Sequence, residues 1–133
     1  MAEFTVPARL DCLNAVFDFV GGVMQDSEID LKWQYNINIA VEEIFVNIVS
    51  YAYPTGEGSI TVCLSVSPDK CTIEFRDNGT PFNPLAKPDP DTTLSVSDRE
   101  IGGLGIFIVK KLMDTMEYRY EDNNNILVME KYL

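Results

Sequence analysis

Between Ala40 and Tyr53 the chain reads Ala-Val-Glu-Glu-Ile-Phe-Val-Asn-Ile-Val-Ser-Tyr-Ala-Tyr, too apolar for a helix that lies on a surface, yet it carries Glu43 and Asn47. As a helix it puts Ile37, Val41, Ile44 and Ile48 on one buried stripe. Asn36, Ala40, Glu43, Asn47 and Ser50 form a second stripe, small or polar, at an angle to the first. Such a helix meets a core on one side and something polar on the other. Four residues is just over one turn, so the Cβ atoms of Glu43 and Asn47 lie about 5–6 Å apart on a common face. That spacing suits two side chains gripping one object. The competing reading is a solvated helix edge, which the apolar neighbours disfavour.

The remaining periodicities arrange themselves around this helix. Glu3 to Val6 alternates weakly, as an edge strand closed by Pro7 would. Leu10, Leu13, Phe17, Val20 and Met24 recur at helical intervals and predict a first helix from about Arg9 to Met24, its end weakened by Gly21 and Gly22. Ser27 and Asp30 both suit the N-cap of the second helix, which Pro54 stops. Gly58 to Val66 and Cys71 to Arg76 are β-rich and joined by the turn Ser67-Pro68-Asp69-Lys70, a hairpin.

From Thr80 to Ile101 the character changes, with Pro81, Pro84, Pro88 and Pro90 set among Asp, Ser and Thr. A long irregular segment inside a domain is commonly a functional lid or disordered. Gly102-Gly103-Leu104-Gly105 ends it, and Ile106 to Met113 reads as a third helix. Met116 to Glu121 and Ile126 to Tyr132 are closing strands around the polar turn Asp122 to Asn125. The order predicts an α+β fold: a two-layer sandwich with helices on one face of a mixed, mostly antiparallel sheet. With 133 residues, one domain spanning 1–133 is expected.

A formal net charge of −11 makes nucleic acid and membrane surfaces poor partners. A small polyphosphate neutralised by a metal ion is still compatible. Cys12, Cys63 and Cys71 have no CxxC spacing and follow no signal-peptide pattern, so reduced, core-filling thiols in the cytoplasm are expected. No apolar run approaches the roughly 20 residues that cross a bilayer. Histidine is absent, which leaves carboxylates, amides and backbone groups to do any chemistry. Trp33, Tyr51 and Tyr53 are expected to pack in the core.

Two further constellations join Glu43 and Asn47. Asp77-Asn78-Gly79 would ordinarily signal a hairpin turn. Here Thr80-Pro81-Phe82-Asn83-Pro84 comes next, which cannot pair as a strand because proline donates nothing to the ladder. The alternative is that Asp77, at a strand end, accepts a hydrogen bond from a ligand while Gly79 lets that ligand approach the backbone. Gly102-Gly103-Leu104-Gly105, ahead of an apolar helix, would turn free N–H groups and the positive helix end toward an anion. A hinge is an equally good reading of that turn alone. It is not a P-loop, since no Gly-Lys-Ser or Gly-Lys-Thr comes after it; Lys110 and Lys111 instead suit the helix C-terminus.

In order and spacing the three elements resemble the N, G1 and G2 boxes of the GHKL ATPases, the Bergerat-fold superfamily of histidine kinases, MutL and type II topoisomerases. The wording Asp77-Asn78-Gly79-Thr80-Pro81-Phe82-Asn83-Pro84, Pro88-Asp89-Pro90-Asp91 and Ile101-Gly102-Gly103-Leu104-Gly105-Ile106 looks most like the stand-alone anti-sigma-factor serine/threonine kinases, the RsbW and SpoIIAB group. The resemblance covers nearly the whole chain.

That resemblance implies an ATP- and Mg²⁺-dependent kinase with an ATP lid over about residues 80–102. By it Asn47 would coordinate the Mg²⁺ and Glu43 would take the proton from a partner's Ser or Thr hydroxyl. Asp77 would read the adenine amino group, and Gly79 would give the ring room. Gly103, Leu104 and Gly105 would present amides to the phosphates, and Arg99 would reach the γ-phosphate. The implied partners are an anti-sigma-factor antagonist, which accepts the phosphate, and a sigma factor; the family also suggests a homodimer. One departure concerns the adenine. Members often carry a threonine in the penultimate strand that helps to hold it, whereas the stretch here is Asn124-Asn125-Ile126-Leu127, with Asn125 as the candidate substitute. A phospho-accepting His and its helix pair are lacking, which argues against autophosphorylating histidine kinase activity. A non-catalytic, nucleotide-responsive binding module is the other reading, and the retained Glu43 favours the kinase.

Overall fold

Strands form where apolar residues alternate and helices where they recur every three or four. The structure, a computed structural model, describes residues 1–53, 57–86 and 103–133, with Gly103 and Leu104 described by backbone alone. Strand β1 is Ala2–Pro7. A short 3₁₀ turn, Leu10–Cys12, leads into helix α1, Leu13–Asp26. Helix α2 is Leu31–Asn47 and passes into a π-helical turn, Ile48–Ala52. Strands β2, Ser59–Val66, and β3, Lys70–Asp77, come next. Helix α3 is Gly103–Leu112, and strands β4, Thr115–Glu121, and β5, Asn124–Tyr132, complete the sheet.

The sheet order is β1-β2-β3-β5-β4. Every pairing among the described strands is antiparallel, so the mixed sheet expected from the sequence is antiparallel throughout. The hairpin β2–β3 closes where Ser67 N–H donates to the Lys70 carbonyl at 2.9 Å. The hairpin β4–β5 turns at Asp122 (φ 52°) and Asn123 (φ 63°), the left-handed pair that a tight two-residue turn requires. The sheet's inner face carries Ile60, Val62, Leu64, Ile73, Phe75, Leu127 and Met129, all buried. Against it lie Val16, Val20 and Met24 of α1 and Ile37, Val41, Ile44 and Phe45 of α2. Each such side chain, fully buried, contributes about 1.5–3 kcal/mol. Among the described residues no helix is long and apolar enough to cross a membrane.

Three helices depart from the sequence reading in their bounds, and one of the two N-cap candidates of α2 is selected. Helix α1 starts later and ends later, running through Gly21 and Gly22 to Asp26. Buried Val16, Val20 and Met24 anchor one face on both sides of the glycines, and packing outweighs local propensity. Asp30 holds the N-cap position of α2 without a side-chain cap bond, while Ser27 ends α1. Helix α3 begins at Gly103 rather than Ile106, so Gly103, Leu104 and Gly105 form its first turn. The α-helix of the opening motif stops at Asn47 and widens to a π turn instead of running to Tyr53.

The aromatic expectations divide. Tyr53 is buried and Trp33 half-buried, with Lys131 Nζ 4.5 Å from the Trp33 ring centroid. Tyr51 is 36% exposed. It stacks on Phe82 with ring centroids 4.9 Å apart instead of entering the core. Cys63 and Cys71 are buried, Cys12 is half-buried, and all three thiols are free. Burial pushes the Cys63 and Cys71 thiols up to about 11.

Candidate nucleotide-binding site

Asn47 and Glu43 leave α2 on the face that meets the first turn of α3. The Asn47 amide nitrogen donates to the Glu43 carbonyl at 2.8 Å, one helical turn back. That bond leaves the amide oxygen as the group able to meet a cation. A Cβ on Gly105 would collide with the Glu43 carboxylate and would come within 3.9 Å of Asn47 Nδ2. Gly105 is therefore the residue that lets α3 close over both side chains. Burial, and after it the negative charge of Glu42, raises the Glu43 pKa above the usual carboxylate value.

The second half of the site stands at the end of β3. Asp77 is 4% exposed and Asn125, its cross-strand partner on β5, likewise 4%. Asp77 Oδ1 accepts from the Gly79 N–H and from Asn125 Nδ2, both at 2.9 Å. Burial raises the Asp77 pKa above the usual carboxylate value, and these two hydrogen bonds offset only part of the rise. Asn125 Nδ2 also donates to the Thr80 carbonyl at 3.0 Å. Its Oδ1 accepts from Phe82 N–H at 3.0 Å and from the Tyr118 hydroxyl.

The π turn supplies the next wall. Thr80 N–H donates to the Ala52 carbonyl at 2.7 Å. The Tyr53 hydroxyl accepts from Asn78 N–H at 2.9 Å and stands 2.7 Å from both the Ser59 carbonyl and Asn78 Oδ1, two acceptors for its one proton. The Tyr53 ring lies where a Cβ on Gly58 would be, and Gly58 has φ +152°, so only glycine suits that position.

Asn47 and Asp77 line one cavity with Ile44, Ile48, Phe82 and Asn125. Its chemistry fits an adenine ring: a buried carboxylate to accept from an amino group and apolar walls for a flat ring. Its volume, about 10 Å³, admits roughly one water. Phe82 and Pro84 form one side of it, so that side must swing away for a purine to enter.

The structure thus brings Glu43, Asn47, Asp77 and Gly105 to one region. Arg99 and Gly102, with most of the segment read as a lid, lie outside the described residues, and of Gly103 and Leu104 only the backbone is described. At Gly79 glycine is required by the protein's own packing. The place of its missing Cβ is taken by the Ala52 carbonyl, so the room it makes is filled by the protein itself. Asn125 lies in the last strand, not the penultimate one. Its hydrogen-bonding positions are taken by protein groups, so it does not stand in for an adenine-contacting threonine. Tyr51, Tyr53, Phe82 and Tyr118 went unrecognised as parts of the site. Tyr51 and Tyr53 at the end of the apolar helix and Phe82 after the Asp77-Asn78-Gly79 turn carried a local signal, aromatics beside the two motifs; Tyr118, on β4, carried none.

Residues 6–131 match the histidine kinase-like ATPase domain, so the class of protein is an ATP-binding module of that kind. The serine-protein kinase RsbW of Halalkalibacterium halodurans is 31% identical over 135 residues, covering 98% of this chain and 82% of that one. The serine-protein kinase RsbW of Listeria innocua is 33% identical over 133 residues, covering 96% and 84%. The chain belongs to the histidine kinase-like ATPase family and, within it, to the RsbW serine-protein kinases, which are ATP-dependent enzymes. The fold alone is shared with a chain of the SiaB–SiaC complex from Pseudomonas aeruginosa, at TM-score 0.64 and 11% identity over 100% of this chain and 90% of that one.

Proposed function

We propose that this chain is an anti-sigma-factor kinase: it binds Mg-ATP, phosphorylates a Ser or Thr of an anti-sigma-factor antagonist, and holds a sigma factor as its other partner. The observation that carries the reading is the Glu43 carboxylate, half-buried on α2 against the first turn of α3 and next to Asn47. A pure binding module has no use for an acid there, whereas a kinase needs a base beside the acceptor hydroxyl. Glu43 is that base, and its raised pKa makes it hold the accepted proton more firmly than an exposed glutamate would.

Asp77 accepts from the adenine amino group, and Gly79 shapes the turn that holds the carboxylate. Gly103, Leu104 and Gly105 offer first-turn amides to the phosphates, and Arg99 supplies a cation for the γ-phosphate. Among the described residues no cluster of three or more His, Cys, Asp or Glu side chains could hold a metal by itself. A Mg²⁺ would therefore rest on the Asn47 amide oxygen together with phosphate oxygens and water, the ligand set this ion accepts. When bound it would neutralise charge on the transferring phosphoryl group. The proposal extends to one domain over residues 1–133 with an ATP lid over about 80–102, a cytoplasmic location in keeping with the free thiols, and a homodimer.

Two measurements test it. Mg-ATP at about 100 times its dissociation constant should stabilise the protein by roughly 2.7 kcal/mol in thermal unfolding; an unchanged unfolding curve removes ATP as ligand. Labelled γ-phosphate should pass to a Ser or Thr of an antagonist encoded nearby. Nucleotide binding with no label on that protein would leave only the binding-module reading.

A further inference from the structure

Asn125 is the most connected polar side chain of the site, and no nucleotide contact is needed to explain it. Its amide nitrogen faces two acceptors, Asp77 Oδ1 at 2.9 Å and the Thr80 carbonyl at 3.0 Å. Its oxygen faces two donors, Phe82 N–H at 3.0 Å and the Tyr118 hydroxyl. The four neighbours fix which end of the amide is which, because a flipped amide would set donor against donor and acceptor against acceptor. Among the described residues, both hydrogen bonds made by the Asp77 carboxylate fall on Oδ1. Oδ2 is thereby the oxygen left for a donor in the cavity that Asp77 lines.

We propose that Asn125 is a positioning residue that sets base specificity: by holding Asp77 Oδ1, it aims Oδ2 at the exocyclic amino group of the base. The proposal rests on the reading of Asp77 as the adenine-binding carboxylate and adds how that carboxylate is aimed. The Gly79 N–H alone would hold Oδ1 from one side only, leaving the carboxylate to swing through the range of angles that a single hydrogen bond tolerates. The Asn125 bond comes from across the strand pair Asp77↔Asn125 and supplies the second point. At 4% exposure for each residue, no water replaces it at low cost. The same side chain ties Thr80 and Phe82, so the segment that walls the cavity and the carboxylate that reads the base share one support.

The test compares ADP with inosine diphosphate, which carries an oxygen where adenine carries the amino group. Binding of both is measured by calorimetry with Mg²⁺ for the native protein and for Asn125→Asp, Asn125→Ala and Asp77→Asn. Asn125→Asp keeps the shape but offers Asp77 no amide donor. The native protein should prefer ADP on the order of a hundredfold, the discrimination that one hydrogen bond to a charged group supplies. Both Asn125 variants should lower that ratio by about tenfold or more. A merely structural role would weaken the two ligands equally and leave the ratio unchanged. Retention of the native ratio in a folded Asn125→Asp protein, with the ratio lost in Asp77→Asn, overturns the positioning role alone. A native ratio near one overturns the adenine reading of Asp77 itself. Should Asn125→Ala fail to fold, Asn125→Asp carries the comparison.

Discussion

Glu43→Gln should lower the rate of phosphoryl transfer to the antagonist by about 10²–10⁴-fold while nucleotide binding persists. Glutamine keeps the size and the hydrogen-bonding reach of the side chain but cannot take a proton. Labelled γ-phosphate transfer and ADP binding, measured side by side, check it; transfer at the native rate would remove Glu43 as base. The pH profile adds a second signature. Burial and Glu42 raise the Glu43 pKa, so the acid limb of transfer should lie above the ordinary glutamate value of about 4.3. Activity rises with pH as the proton leaves, and the limb disappears in Glu43→Gln. The stability sign runs the other way. A carboxyl whose folded pKa is raised contributes most below its unfolded pKa and loses that contribution as pH rises through the folded one. Above that window Glu43→Gln should be at least as stable as the native protein, so lost activity cannot be blamed on unfolding.

Gly105→Ala should have the next largest effect. The added methyl meets the Glu43 carboxylate rather than backbone, so the carboxylate moves and the fold gives little. A displacement near 1 Å at a reacting group costs on the order of 10²-fold in rate. Transfer should fall by about that factor while the unfolding temperature shifts by only a few degrees. A variant with native transfer, or one that unfolds at room temperature, would show that the glycine serves packing instead of clearance for the base. The pairing of this result with Glu43→Gln matters, because one variant would remove the proposed base and the other would misplace it.

How much of this was legible in the sequence depended on whether a feature was local. The buried stripe of α2 and the hairpin β2–β3 derive from period and turn chemistry, and they stand where the pattern put them; on α1 Val20 and Met24 do so, whereas Leu10 lies exposed before the helix and Val16 is buried in its place. Glu43 and Asn47 were marked by polarity inside an apolar run, and both lie at the site. The first turn of α3 was hidden because Gly103 and Gly105 carry low helix propensity. It forms because Gly105 lies close against Glu43 on α2. Asn125 was seen only as a substitute for a missing threonine. Its role depends on the register Asp77↔Asn125, which joins residues 48 positions apart and is set by strand order, not by any window of sequence. The π turn was invisible for a similar reason. An α-helix and a π turn have the same apolar pattern here, and the outcome is decided by Thr80, whose N–H must find the Ala52 carbonyl.

That turn, Ile48–Ala52, makes residue count matter more than residue type in this part of the wall. A π turn holds one more residue than an α turn. Deleting a single residue within it would return the turn to α-helix while the residues downstream keep their facing, because the extra residue is what the wider turn accommodates. Inserting another residue has no such outlet: it would rotate the residues downstream by about 100°, so that Tyr51 faces away from Phe82 and the Ala52 carbonyl away from Thr80, although no contacting side chain had been altered. The stretch is asymmetric toward length: along a lineage it can lose a residue and keep the cavity wall in register with Asp77, whereas a gained residue takes the wall out of register in one step.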